Sequence, residues 1–178
     1  MLDSSCSARQ KILESEVFIG DVAALPFRVG AVVNAANEDL VAGGGVCGAI
    51  FRAAGPGLQG ACDKVAPCPT GEARITPAFK INADHIIHAV GPIFRDDSAE
   101  ERALLASAYT NALRLADDAE LESIAFPAIS TGIYGFPPEE AAPVVHVAIT
   151  AFRAKNLKRC LLVFRSEESA APAREAAR

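Results

Sequence analysis

Three short stretches of this chain carry residue types able to do chemistry, and each follows an apolar run. The first is Asn34-Ala35-Ala36-Asn37, just past Ala31-Val32-Val33. Each amide offers a donor and an acceptor to a sugar hydroxyl or to a positioned water; the plainer alternative is an Asx turn leaving a strand. The second, Gly43-Gly44-Gly45-Val46, leads into a helix-compatible run ending at Ala54. Glycines let backbone N–H groups come close to an anion, and a helix N-terminus adds about half a positive charge. The stretch lacks both the lysine of the phosphate-loop pattern and the glycine spacing of the dinucleotide pattern, and a flexible turn is the alternative. The third is Ser130-Thr131-Gly132-Ile133-Tyr134-Gly135-Phe136. Its small residues expose successive N–H groups in the manner of an anion nest, and Tyr134 and Phe136 are placed to close over a flat or sugar-like ligand. The alternative is a loop with its aromatics packed inward. Two backbone cradles point to a diphosphate rather than a single phosphate.

The elements that must position these stretches alternate between strand-like and helix-like blocks. Strands are expected over Lys11 to Ile19, Ala31 to Val33, Glu72 to Phe79, His85 to Val90, Ser123 to Ile129 and Arg159 to Phe164. Pro77 confines its strand to an edge or to its own end. Helices are expected over Val46 to Ala54, Leu58 to Val65, Ala99 to Asp117, with Leu104, Ala108, Ala112 and Leu115 on its apolar face, and Glu139 to Ala154, with Pro143 delaying its regular part. The Ala-rich tail suits a terminal helix. This alternation predicts an α/β layer fold with a mixed, mainly parallel sheet, in which ligands gather at the carboxyl ends of strands.

The 178 residues fit one domain, with a core over about 11–165, a short N-terminal extension and the Ala-rich tail. With 51% hydrophobic and 22% charged residues the chain is no disordered tail. No apolar run is long enough to span a membrane, and Met1 to Gln10 lack the apolar core of a secretory signal. Five scattered cysteines, at 6, 47, 62, 68 and 160, suit reduced thiols in a cytoplasm. The net charge of −5 argues against a non-specific nucleic-acid binder. His85 and His88 lie three apart and so point to opposite faces of a strand, and Cys62 and Cys68 form no tight pair, so no metal site is expected.

In their order the motifs resemble those of the macrodomain family, and within it the MacroD-type hydrolases. The matching segments are Gly20-Asp21-Val22, VVNAANEDLVAGGGVCGAIFRAAG (Val32 to Gly55), PTGEARIT (Pro69 to Thr76), HIIHAVGP (His85 to Pro92) and AFPAISTGIYGFP (Ala125 to Pro137). They span most of the chain from Val17 to Phe164. The resemblance implies a three-layer α/β/α sandwich that binds ADP-ribose, with no cofactor. Asp21, with Val22 beside it, would accept from the adenine amino group, and Phe164 is a looser candidate for contact with adenine. Asn34 and Asn37 would lie near the distal ribose, with Asn34 orienting hydroxyls or water. Gly43, Gly44, Gly45 and Val46 would form the first diphosphate loop, and Ser130, Thr131, Gly132, Ile133 and Tyr134 the second, with Tyr134 flanking the distal ribose.

The resemblance fails at two places. Where the family usually carries GGGVDGAIHRAAG, this chain reads GGGVCGAIFRAAG, with Cys47 for the aspartate and Phe51 for the histidine. The family aspartate is thought to activate or position the attacking water, and a thiol with an ordinary pKa near 8.5 is a poor general base at neutral pH. Three explanations stand open: a reader that only binds ADP-ribose, a hydrolase in which Asn34 and a ligand diphosphate oxygen position the water, or Cys47 as a nucleophile activated by the helix behind it. Glu38 and Asp39 are nearby carboxylates that could replace the base, and Arg52 and Arg95 could assist an anion; the plainer alternatives are solvated surface charge and ordinary surface arginines. The expected activity is hydrolysis of the ester in mono-ADP-ribosylated proteins, on acidic side chains, or in O-acetyl-ADP-ribose. The alternative is a non-catalytic ADP-ribose reader, and an RNA or poly(ADP-ribose) module is a weaker third. The expected protein is a cytoplasmic monomer whose partners include neither membrane nor nucleic acid.

Overall fold

The computed structural model describes residues 11–178. The reading of Met1 to Gln10, Cys6 included, lies outside the described residues. In chain order the strands are β1 (Lys11–Ile12), β2 (Ser15–Ile19), β3 (Val29–Ala35), β4 (Ala73–Pro77), β5 (Ala83–Ala89), β6 (Ser123–Phe126), β7 (Arg153–Ala154) and β8 (Arg159–Phe164). The helices are α1 (Gly45–Ala54), α2 (Gly57–Cys62), α3 (Ala99–Asp118), α4 (Pro138–Ala151) and α5 (Glu167–Ala176), with a 3-10 turn at Val22–Ala24.

Six strands form one sheet in the order β2-β8-β6-β3-β5-β4, parallel except that β4 runs antiparallel to β5 at the edge. Pro77 sits at the end of this edge strand, where its missing N–H costs no ladder bond. Alternation along the inner strands fills two cores. Ala31, Val33, Ile87, Ile124, Phe126 and Leu162 face α3, α4 and α5, whereas Val32, Ile86, Ala125, Leu161 and Val163 face α1, α2 and the 3-10 turn. Burying each larger aliphatic contributes about 1.5–3 kcal/mol. The result is the three-layer α/β/α sandwich.

Several boundaries depart from the sequence reading. The strand expected over Lys11 to Ile19 is interrupted: Leu13 is buried, and β1 pairs antiparallel with β7 in a small sheet of its own. β6 stops at Phe126 because Pro127 has no N–H to continue a ladder. α2 ends at Cys62 rather than Val65, since Pro67 disfavours helical backbone at Ala66 and the chain turns before it. The buried face of α3 is Leu105, Ala108, Tyr109, Ala112, Leu113 and Ala116, with Leu104 and Leu115 at its half-buried margins. α4 begins at Pro138 with Pro143 inside it and ends at Ala151. Glu139, whose carbonyl Pro143 cannot satisfy, is exposed on the same face.

Candidate functional site

A cavity of about 370 Å3 opens at the carboxyl ends of β3 and β6. Its lining includes Ala36, Asn37, Gly43, Gly44, Gly45, Val46, Cys47, Gly91, Ser130, Gly132, Ile133 and Tyr134. One wall is the start of α1. Gly44 is its N-cap and supplies no side-chain cap, so the first-turn N–H groups remain without intrahelical partners. Together they carry the positive end of the helix dipole.

The facing wall is the loop Ser130–Phe136. Phe136 N–H donates to Ser130 O at 2.9 Å and Gly135 N–H to Gly132 O at 3.0 Å, which tightens the loop into a small arch. Among the described residues, the N–H groups of Gly132, Ile133 and Tyr134 donate to no backbone or side-chain acceptor. Ser130 occupies the left-handed region at φ 67°, with its hydroxyl buried and unpartnered. Gly91 makes this approach possible: a Cβ there would stand 2.2 Å from Ser130 Oγ and 2.5 Å from Ile129 Cγ2. Ile133, 78% exposed, reaches across so that its Cδ1 would lie 2.8 Å from a Cβ on Gly44. The two cradles thus meet over one cavity, whose lining among the described residues contains no Lys or Arg.

Asn34 is wholly buried inside β3, not beyond its end, and does not line the cavity. Its register partner on β5 is His88. Asn34 Nδ2–H donates to His88 Nδ1 at 3.1 Å, which leaves the imidazole proton on Nε2 to be donated to Thr76 Oγ1 at 2.9 Å. Burial pushes the His88 pKa down to about 4, so the ring is neutral and keeps this direction of donation. The chain of bonds leaves Asn34 Oδ1 as a buried acceptor without a partner. Cys47 joins from α1: its Sγ is 3.7 Å from Asn34 Nδ2 and donates to Val41 O at 3.6 Å. Asn37 is occupied differently from expectation. Its Nδ2 donates to Val41 O and its Oδ1 accepts from Val41 N–H, so its amide clamps the loop leading to the glycines.

The remaining site residues of the sequence reading separate into two groups. Asp21, Val22 and Phe164 lie on the same carboxyl edge, at the ends of β2 and β8, but not on this cavity. Asp21 Oδ1 accepts from Ala23 N–H and its Oδ2 pairs with Arg165 at 3.1 Å. Val22 is buried in the second core, and Phe164 lines a separate 200 Å3 cavity under α4 and α5. Thr131 turns its hydroxyl to Ala128 O and lines that second cavity instead. Phe136 does not close over the site; it is fully buried against Phe94 at 5.0 Å between ring centroids. Tyr134 does line the cavity, and burial raises its phenol pKa, with Cys47 and Glu38 adding to the effect. Glu38 and Asp39 line an adjoining groove rather than the cavity. Glu38 accepts from both Thr70 Oγ1 and Thr70 N–H, which hold its carboxyl below the usual range. Arg52 lies in the last turn of α1, away from the lining.

The description Macro domain fits residues 33–145 of the chain. A protein of Klebsiella pneumoniae named O-acetyl-ADP-ribose deacetylase is 48% identical over 165 residues, covering 89% of this chain and 93% of its own. The chain belongs to the macrodomain family. A Methanosarcina mazei macro domain-containing protein is 50% identical over 140 residues, which are 79% of this chain and 74% of that one. Among solved structures, a variant of the Oceanobacillus iheyensis macrodomain with ADPR superposes with a TM-score of 0.85 at 38% identity, covering 93% of this chain and 92% of that one. The Trypanosoma brucei macrodomain in complex with ADP-ribose gives 0.83 at 32% identity, covering 92% and 69%.

In this macrodomain the residues missed by sequence reasoning are His88, Thr76 and Gly91. His88 stands in a quoted motif, yet its role depends on β3 and β5 being neighbours in register, which spacing along the chain does not reveal. Cys62 also reaches His88, with Sγ 3.7 Å from Nε2, and burial raises its thiol pKa to about 11. Among the described residues no group of three or more His, Cys, Asp and Glu gathers as a metal site.

Proposed function

We propose that this macrodomain binds ADP-ribose in the 370 Å3 cavity and hydrolyses the ester joining its distal ribose to an acidic protein side chain or to an acetyl group. The carrying observation is the pair of facing N–H cradles over one cavity lined, among the described residues, by no cationic side chain. Oriented N–H dipoles neutralise a diphosphate without a lysine clamp. The relatives named for O-acetyl-ADP-ribose deacetylation and the neighbours solved with ADP-ribose support the ligand and the ester chemistry. The diphosphate rests between Gly43–Val46 and Ser130–Tyr134, Tyr134 borders the distal ribose, and Asp21 accepts from the adenine amino group.

Water attacks the ester carbonyl or the distal ribose carbon, the C–O bond breaks, and a carboxylic acid and ADP-ribose leave. A diphosphate oxygen accepts a hydrogen bond from the water and positions it, and the water proton passes to the departing oxygen, since among the described residues no carboxylate or imidazole lines the cavity. Asn34, held by His88, is buried just behind the lining with its Oδ1 unpartnered, and in this reading it orients the water or a ribose hydroxyl from there once the ligand is bound. Such fixed positioning retains catalysis without a dedicated base. A second reading, a non-catalytic ADP-ribose reader, is favoured by the Cys47 thiol, which is engaged with Val41 O at the position where the resemblance implies an aspartate.

Calorimetry with ADP-ribose tests the binding, and absence of heat at high micromolar ligand overturns it. Release of ADP-ribose from a mono-ADP-ribosylated protein and of acetate from O-acetyl-ADP-ribose tests turnover against Asn34→Ala. Hydrolysis by the wild type that falls in Asn34→Ala supports the enzyme; binding without release by either protein establishes the reader.

A further inference from the structure

An open groove of about 750 Å3 adjoins the ligand cavity, and Asn37, Gly91 and Tyr134 line both. Its walls carry Glu38, Asp39, Asp96, Glu100 and Glu101, with Arg95 the one cation among the described lining residues. Asp39, Asp96 and Glu100 are exposed. Glu101 is 8% exposed; its Oε1 accepts from Arg95 N–H at 2.9 Å, while its Oε2 is buried without a partner. A buried carboxylate oxygen lacking a donor is costly until one arrives. Ile93, 52% exposed, and half-buried Leu104 add apolar surface suited to the aliphatic stem of a long basic side chain. The groove is tied to the cavity wall, because Phe94 N–H donates to Tyr134 O at 2.8 Å.

We propose that this groove receives the polypeptide carrying the ADP-ribose and favours modification sites flanked by lysine or arginine. The inference rests on the ADP-ribose reading above. In that reading the distal ribose lies by Asn37 and Tyr134, so a chain attached to it leaves through the wall that cavity and groove share. Five carboxylates against one guanidinium attract basic flanks and repel acidic ones, so the groove both selects and rejects. The ADP-ribose holds the modified residue at the groove mouth, and weak exposed ion pairs then act at high local concentration.

The test compares two peptides bearing ADP-ribose on the same side chain through a non-hydrolysable linkage, one flanked by lysines and one by glutamates. Calorimetry at low salt should give roughly three- to tenfold tighter binding of the lysine-flanked peptide, as expected for two or three exposed ion pairs. The gap should shrink in about 0.5 M salt, where the Debye length falls to a few ångströms. It should also close in the triple variant Asp39→Asn, Asp96→Asn, Glu100→Gln, which should bind free ADP-ribose at least as tightly as the wild type. Equal binding of both peptides by a wild type that binds free ADP-ribose overturns the groove assignment alone. So does a gap that survives the triple substitution. Failure to bind free ADP-ribose overturns the functional reading itself.

Discussion

His88 concentrates the structural cost of the site into one side chain. Its ring is fully buried between Asn34, Thr76 and Cys62, and only the neutral form satisfies this arrangement. Burial lowers its pKa to about 4, whereas the unfolded chain protonates near the ordinary 6.5. The folded state therefore resists a proton that the unfolded state accepts. The His88 contribution to stability is complete above about pH 6.5, declines as pH falls toward 4, and is flat below; at 1.36 kcal/mol per pH unit it amounts to about 3 kcal/mol. Urea denaturation across that window should show this slope in the wild type and lose it in His88→Gln. Equal slopes would place the acid sensitivity elsewhere. Cys47 gives the second prediction at this scale. Its thiol serves a carbonyl of the neighbouring loop, so Cys47→Ala should keep ADP-ribose affinity and ester hydrolysis within about twofold, while a nucleophilic role would require a loss of about a hundredfold or more. The Asn34 amide was legible as a candidate from its residue type, but its burial was not. Ala31 to Val33 reads as a buried strand that ends before Asn34, and pairing with β5 instead carries the strand through it.

At the scale of elements, function depends on how closely the β5–α3 connection approaches the Ser130–Phe136 loop. Gly91→Ala forces the added methyl against Ser130 Oγ and Ile129 Cγ2, neither of which lies at the end of a long flexible side chain. Overpacking of this kind costs about 1–3 kcal/mol, and displacement of the loop should weaken ADP-ribose binding about tenfold or more by calorimetry. Asp117, near the end of α3, ties together a different region. Its carboxylate accepts from the N–H groups of Lys155, Asn156 and Leu157, fixing the turn between β7 and β8. Burial pushes its pKa up, but the three N–H donors outweigh that and hold it below the ordinary value. The stabilisation is therefore present above the unfolded carboxyl pKa and is lost as pH falls through the folded one. Asp117→Ala strands buried donors and should lower stability by about 3 kcal/mol in urea denaturation, with cavity binding intact in the remaining folded protein. Elements were legible wherever periodicity and punctuation agreed, as at α1 with Gly43 and Gly44 before it and Gly55 after. They were less legible where one residue decides the end, as with Pro127 closing β6, or where pairing with a distant segment creates the element, as with β1 on β7. The loop Ser130–Phe136 was legible as a small-residue cradle, yet the inward packing of Phe136 follows from Phe94, which arrives from another connection.

For the whole molecule, the charge distribution separates affinity from encounter. The chain carries a net −5, and the groove beside the cavity concentrates further carboxylates at its mouth. A diphosphate ligand approaching from solvent meets a repulsive field, although the cradles proposed to hold it are made of N–H dipoles. Those dipoles act at contact distance inside the cavity, where salt screens little, whereas the repulsion acts over about 10 Å and is screened at ordinary ionic strength. The association rate for ADP-ribose should therefore rise with salt, by about twofold or more between roughly 20 and 200 mM, while the dissociation rate stays nearly constant. A site clamped by lysines would show the opposite, with association slowing as the attraction is screened. Stopped-flow measurement of a fluorescent ADP-ribose analogue distinguishes the two, and association that slows with salt would show that cationic side chains rather than backbone N–H groups receive the ligand. The triple variant of the groove carboxylates supplies the internal control: with three negative charges removed, its association rate at low salt should exceed that of the wild type and depend less on ionic strength.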